Sequence, residues 1–210
     1  GFILISRWGG KSALTGYDVL ALRLGTAAVL LLPFCRDLPW SVWRDRRLWT
    51  LAGLGGVLYG VLVYTAFKFA PAAHGGILLP GMQPFLVTAL LWGWLGERPP
   101  RSRLVGLSAI AVGVLCVAWP MLQAGDGRTL PGDALMLAAS LTWAVYSVLV
   151  RRWAFSPWTP TRFVALGSAL VYLPVYALWL PKGLTEVSTT QLVVQGLYQG
   201  IGPTIIAMWL

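Results

Sequence analysis

Charged side chains make up only 11% of this 210-residue chain, and acids are the scarcer sign, 7 against 16 Lys and Arg. A soluble domain of that length would lack the polar side chains to clothe its surface, so a water-exposed globule is excluded. Histidine occurs once, as His74, which leaves no second imidazole to share a metal. Cys35 and Cys116 are too few and too far apart for a metal cluster and do not establish a disulfide; they read as small packing residues. Asp18, Asp37, Asp45, Glu97, Asp126, Asp133 and Glu186 fall between apolar runs or at their ends, so no carboxylate relay through a membrane is visible. Paired catalytic carboxylates, a Ser–His–Asp set and a phosphate-cradling glycine loop are missing too. A membrane-embedded enzyme is the least supported reading, and no cofactor or metal is expected.

What fills the chain instead is apolar residue, 57% of the total, at a mean hydropathy of +0.71. Crossing hydrocarbon as helix takes roughly 20 such residues, because every backbone group must bond within its own segment. Seven stretches qualify, approximately 18–35, 48–69, 75–95, 104–119, 131–150, 161–180 and 190–210. Residues 1–5 read as the end of an earlier stretch, and the chain opens and closes inside apolar runs, so it reads as a fragment. The expected fold class is an all-α integral membrane protein, a multi-helix bundle in a lipid bilayer. In a soluble chain the net charge of +9 would suggest nucleic acid. Here the basic residues cap apolar runs instead of clustering with aromatics, so no nucleic-acid partner is expected. Trp8, Trp40, Trp43, Trp49, Trp92, Trp94, Trp119, Trp153, Trp158 and Trp179 stand where interfacial belts form, whereas Trp143 lies mid-segment.

The chain also repeats itself. Leu4-Ile5-Ser6-Arg7-Trp8 is echoed by Leu149-Val150-Arg151-Arg152-Trp153, 145 residues on; Gly25 and Pro39 are echoed by Gly167 and Pro181 at 142, and Gly53-Leu54 by Gly196-Leu197 at 143. Five apolar stretches separate the two copies of the first motif, so the second copy enters from the opposite face. Alternate linkers hold Arg36, Arg44, Arg46, Arg47, Arg98, Arg101, Arg103, Arg151, Arg152 and Arg162, against Arg7, Lys11, Lys68, Arg128 and Lys182 in the other set. This excess places the first set in the cytoplasm. Inverted duplication is how many secondary transporters are built, with the solute held between the halves.

His74-Gly75-Gly76-Ile77-Leu78-Leu79-Pro80-Gly81-Met82-Gln83-Pro84 gathers helix-weakening residues within one apolar stretch. Two readings stand, a kinked packing helix or a break lining the solute path, with Gln83 and freed carbonyls as polar contacts. The stretch ends Leu95-Gly96-Glu97-Arg98. Together with Ala70-Pro71-Ala72-Ala73-His74, Leu104-Val105-Gly106 and Gly113-Val114-Leu115, it resembles the EamA domain of the drug/metabolite transporter superfamily. Leu137-Ala138-Ala139-Ser140-Leu141-Thr142-Trp143-Ala144 through Arg151-Arg152 is similar to the opening helix of that family's second repeat. The resemblance implies ten helices in two inverted five-helix repeats, here residues 1–120, lacking most of helix one, and residues 131–210, lacking the last two helices. It also implies a bacterial inner-membrane location and a permease or exporter of small organic solutes such as amino acids. Pro84, Gly96, Glu97 and Arg98 match its motif positions; His74 does not belong to that pattern.

Candidate pathway residues follow from polarity and spacing. Arg23 is a charge inside a segment, so it either snorkels or pairs with Asp18, or meets an anionic group of a solute. Gln191, Gln195 and Gln199 recur every four residues on one stripe, the deeper two either bonding between helices or lining a polar cavity. Trp143 and Tyr146 are expected as aromatic walls, joined by Tyr59 and Tyr64. His74 either bonds nearby backbone or acts as a protonatable switch. Glu97 and Arg98 are expected as a local ion pair or helix cap, with Pro80 and Pro84 as helix-break or structural positions. Gly106, Ala109 and Gly113 place small residues on one face, expected to pack within the bundle, with a homodimer seam as the other use. The function expected is secondary transport of a small metabolite by alternating access, with a coupling proton or counter-substrate as a further partner; a non-transporting scaffold or sensor is the alternative.

Overall fold

The first described helix, α1 (Gly16–Leu31), begins where Thr15 and Asp18 close a reciprocal capping box, and it ends in a 3-10 turn at Leu32–Cys35. These features come from a computed structural model, which describes residues 14–124, 127–156, 158–183 and 187–201. A short helix α2 (Trp40–Arg44) follows Pro39. Helix α3 (Arg46–Phe69) starts from an Asp45 cap and widens into a π-helical stretch at Ala52–Leu58 before resuming α geometry at Tyr59. The others are α4 (Ala72–Leu95), α5 (Arg101–Ala124), α6 (Leu130–Arg152), α7 (Trp158–Trp179) and α8 (Thr189–Ile201). Among the described residues all regular structure is helical, and six helices are long and apolar enough to span a membrane. Their exposed surface carries Val29, Val105, Trp119, Leu178 and Trp179, side chains that water would penalise and lipid would not.

Helix α4 runs unbroken through Pro80 and Pro84, so the break, one of the two readings above, is not seen and the two prolines are interior helix residues. Hydroxyl groups also bond carbonyls within this stretch. The Ser140 hydroxyl of α6 donates to the Leu78 carbonyl at 2.6 Å, and Thr88 donates back to Pro84 O at 2.6 Å. Gly96, at φ +71°, closes α4 in the left-handed conformation that favours glycine, with Glu97 N–H returning to Leu91 O.

Two helix pairs organise the bundle. Helices α4 and α6 touch in the order His74–Asp133, Leu78–Ser140 and Glu97–Arg151, so they run in the same direction. Helices α1 and α7 touch through Asp18–Tyr176 at one end and Phe34–Arg162 at the other, so they run oppositely. Around this second pair the packing echoes itself. Helix α8 lies on α1 with Gly196 and Gly200 against Thr26, while the π stretch of α3 lies on α7 with Gly56 against Ser168. Thr26 and Ser168 are 142 residues apart, the offset that relates Gly25 to Gly167.

Helix α5 departs from expectation. Among the described residues it packs chiefly on α4, and a Cβ added at Gly106 or Gly113 would meet nothing within 4 Å. Among the described residues, nothing packs against its two glycines.

Candidate functional site

The helix-widening at Ala52–Leu58 decides which aromatics meet. Gly55 and Gly56 leave no side chains there, so the Tyr146 ring of α6 and the Ser168 side chain of α7 press directly on the backbone. Ser168 donates to Ala52 O at 2.9 Å, supplying one donor to a stretch whose regular ladder is interrupted. The next residue past the widening, Tyr59, is thereby set against Trp143 at 4.9 Å between ring centroids, and Trp143 stacks on Tyr146 at 5.0 Å. All three rings are half-buried. Arg23, half-buried on α1, lies close enough for its charge to act on Tyr59. Helices α3 and α6 thus contribute a run of flat faces to one region, with a cation of α1 within electrostatic reach of one of them, an arrangement that suits a solute with a flat apolar body.

Several expected members stand elsewhere. Tyr64 is fully buried in the core, its backbone against Gly16, among Leu20, Tyr172 and Tyr176. It does not join the other aromatics, because five residues separate it from Tyr59 and turn it to α1. Gln83 donates to the Ser140 carbonyl at 3.0 Å, so its amide is used between helices α4 and α6. Gln195 is fully buried on α8, the helix packed on α1. Gln191 and Gln199 have side chains outside the described residues.

Two charged candidates found partners that sequence did not supply. His74 meets the carboxylate of Asp133, Nδ1 to Oδ1 at 2.7 Å, instead of backbone. Glu97 reaches Arg151 of α6 at 2.8 Å instead of its neighbour Arg98, with both side chains about half exposed. Arg152 beside it covers the Trp94 ring at 5.2 Å.

One residue was missed. Asp18, weighed above only as a partner for Arg23, is fully buried. Its carboxylate accepts from Thr15 N–H at 2.6 Å, Thr15 hydroxyl at 2.8 Å, Gly183 N–H at 3.0 Å and the Tyr176 hydroxyl in a short bond. The signal available in sequence was the Thr15–Asp18 capping spacing, which fixes the helix start but names no tertiary partner. Asp18 also borders an open cleft of about 490 Å³ between α1 and α8, walled mainly by Ala21, Leu22, Val29, Leu30 and Leu197. With Asp18 spent on its donors and Thr26 packed on glycine, that wall offers little to a polar solute.

Comparison with known proteins gives the same direction. The model of the EamA-like transporter family matches residues 2–119, more than half of the chain. The aromatic amino acid exporter YddG of Ancylobacter novellus is 29% identical over 175 residues, covering 81% of this chain and 57% of that protein. An uncharacterized transporter of Archaeoglobus fulgidus is 35% identical over 110 residues, covering 52% of this chain and 36% of the relative. A solved crystal structure superposes with a TM-score of 0.67 at 25% identity, over 99% of this chain and 74% of the other. The chain thus spans little more than half the length of the first of these relatives.

Proposed function

The chain belongs to the EamA-like transporter family, and from that premise we propose that it forms the greater part of a secondary transporter that exports an aromatic amino acid or a similar small metabolite across the bacterial inner membrane. Two inverted repeats, residues 1–120 and 131–210, rock against each other about the α1–α7 seam. The mirrored packing of Thr26 on Gly196 and Gly200 and of Ser168 on Gly56 supports that duplication. The ten-to-five excess of basic residues orients the ends of α1 and α4 that carry Cys35 and Gly96 toward the cytoplasm.

The observation that carries the substrate class is the Tyr59–Trp143–Tyr146 run of rings, with Arg23 of α1 within electrostatic reach of Tyr59. A carboxylate on the guanidinium and a ring between the aromatics would satisfy both ends of an aromatic amino acid in one region. The exporter named among the relatives agrees with that chemistry.

The test is flux of radiolabelled L-tryptophan in proteoliposomes. Arg23→Gln should raise the half-saturation concentration roughly tenfold or more, the effect of losing a charge-assisted contact of about 1.5–3 kcal/mol. Trp143→Ala should raise it several-fold, from about 0.5–1.5 kcal/mol of ring contact. Wild-type vesicles that move no aromatic amino acid would reject the substrate class. Flux equal in wild type and both variants would reject the site.

A further inference from the structure

Both ends of the α4–α6 seam carry a contact between a basic and an acidic side chain, and the two differ in chemistry. At the Glu97–Arg151 end a carboxyl group meets a guanidinium, and the side chains are 44% and 58% exposed. At the other end the pair is His74 with Asp133, 16% and 23% exposed, and only imidazole among ordinary side chains changes charge near neutrality. Resting on the transport reading above, we propose that His74 and Asp133 form the proton-binding site of this carrier, where proton movement is tied to solute movement.

Both residues sit in the first turn of their helices, His74 three residues after the Pro71 cap and Asp133 three after Leu130. Helix N-termini favour a negative charge and disfavour a positive one. Asp133 is therefore at ease as a carboxylate, whereas a doubly protonated imidazole at the start of α4 depends on Asp133 beside it. The site binds its proton as follows. The Nδ1–H donates to Asp133 Oδ1 before and after, and the incoming proton adds to Nε2, converting a hydrogen bond between a neutral imidazole and a carboxylate into an ion pair. When α4 and α6 part at this end, the imidazolium loses its counter-ion and remains on an unfavourable dipole, so the proton leaves from Nε2 to water. Proton occupancy thus favours the closed seam, and rising pH removes that preference.

Other described charges stand at this end. Lys68 of α3 lies with its ammonium 5.9 Å from the Tyr17 ring centroid, Arg128 before α6 is exposed, Lys182 donates to Ala177 O, and Asp18 is held by Thr15, Tyr176 and Gly183. From Asp133 the rigid α6 leads to Ser140, bonded to α4, and on to Trp143 in the aromatic set, ten residues or roughly 15 Å along the axis. Closing at His74 is thereby transmitted to the solute region by one helix.

Two measurements test this. Spin labels on Ala73→Cys and Leu130→Cys, in a background with Cys35→Ala and Cys116→Ala, report the separation of α4 and α6 in nanodiscs without any substrate. The distance distribution should be short and narrow near about pH 5.5 and shift toward longer separations near about pH 8.5, bracketing imidazole titration. His74→Gln and Asp133→Asn, checked for monodispersity, should each abolish the shift. A wild-type distribution that does not move with pH, or one that moves equally in His74→Gln, overturns the proposal whatever the solute is. In the second measurement, proteoliposomes loaded with a pH-sensitive dye and given L-tryptophan report protons moved per tryptophan. That ratio should fall at least fivefold in His74→Gln. Tryptophan flux with an unchanged ratio overturns the coupling while leaving transport intact. Absence of tryptophan flux in the wild type strikes the substrate reading instead, and the spin-label result still decides the site.

Discussion

The two ends of the α1–α7 seam are closed by groups of opposite sign, and they are closed differently. At one end Asp18 is fully buried and gathers four donors, two of them from the end of α7 and the residues after it. At the other, Arg162 reaches one acceptor across the seam, Phe34 O at 2.8 Å, beneath the Trp158 ring, with Phe34 and Trp158 both exposed. A carboxylate can accept several bonds at once from backbone and hydroxyl donors, so it draws the chain inward around itself. A guanidinium needs many acceptors in its plane, and one helix end supplies few of them. Equal and opposite charges at mirrored places therefore do not give mirrored locks. One end is a sealed knot and the other a single clasp.

The comparison breaks most visibly at the knot. Asp18→Ala leaves the Tyr176 hydroxyl and the Gly183 amide buried without their acceptor, at about 1–3 kcal/mol each, and removes a helix cap contributing about 1 kcal/mol. The expected loss is on the order of 3 kcal/mol or more, read as a large fall in the thermal midpoint in detergent. Tyr176→Phe should lose only about a third of that, because the other donors keep the carboxylate satisfied. A fall for Asp18→Ala no larger than that for Tyr176→Phe would mean that the knot acts as a single bond.

Next in size is the mirrored glycine packing that flanks the seam. A Cβ at Gly56 would lie 1.8 Å from Ser168 Oγ, and one at Gly200 would lie 2.6 Å from Thr26 carbons. Gly56→Ala should cost about 1–3 kcal/mol through overpacking and reduce tryptophan flux, since the π stretch also positions Tyr59. Adding Ser168→Gly should recover most of the stability, because it removes both atoms that the new methyl meets. Without that recovery, the α3 distortion would have another cause than the contact with α7.

How much of this was legible depends on whether one helix or two had to be read. Segment limits emerged from apolar run length, so the expected 75–95 became Ala72–Leu95 and the expected 131–150 became Leu130–Arg152. The Gly96 stop and the Gly53–Gly196 echo were visible for the same local reason. Partners across helices were not. Asp18 meets Tyr176 from 158 positions away, and His74 meets Asp133 from 59. A helix that is apolar on most sides gives no periodic clue to which face meets which neighbour. That is why Tyr64 was grouped with Tyr59, and Glu97 with the adjacent Arg98 instead of Arg151. The π stretch was hidden too, because Gly53, Gly55 and Gly56 signal a weak helix without saying which way it gives. In α4, Pro80 and Pro84 left a kinked helix and a break as two readings, and the helix continues through both, with Ser140 of α6 bonded to its Leu78 carbonyl.

The smallest effect belongs to the clasp. Arg162→Gln removes one charge-assisted bond at a solvent-facing helix end, where water replaces the donor to Phe34 O, so the expected cost is about 0–1 kcal/mol. Its value lies in combination with the knot. Asp18 and Arg162 sit at opposite ends of a helix pair, far enough apart that independent effects add within about 0.5 kcal/mol. If the Asp18→Ala/Arg162→Gln double variant shows the sum of the two losses, α1 and α7 behave as two separately closed ends. A carrier that rocks about this seam predicts otherwise. Loosening the clasp should cost less once the knot is already open, because tightening at one end and loosening at the other are then the same motion, and thermal midpoints of the four proteins measured side by side would separate the two outcomes.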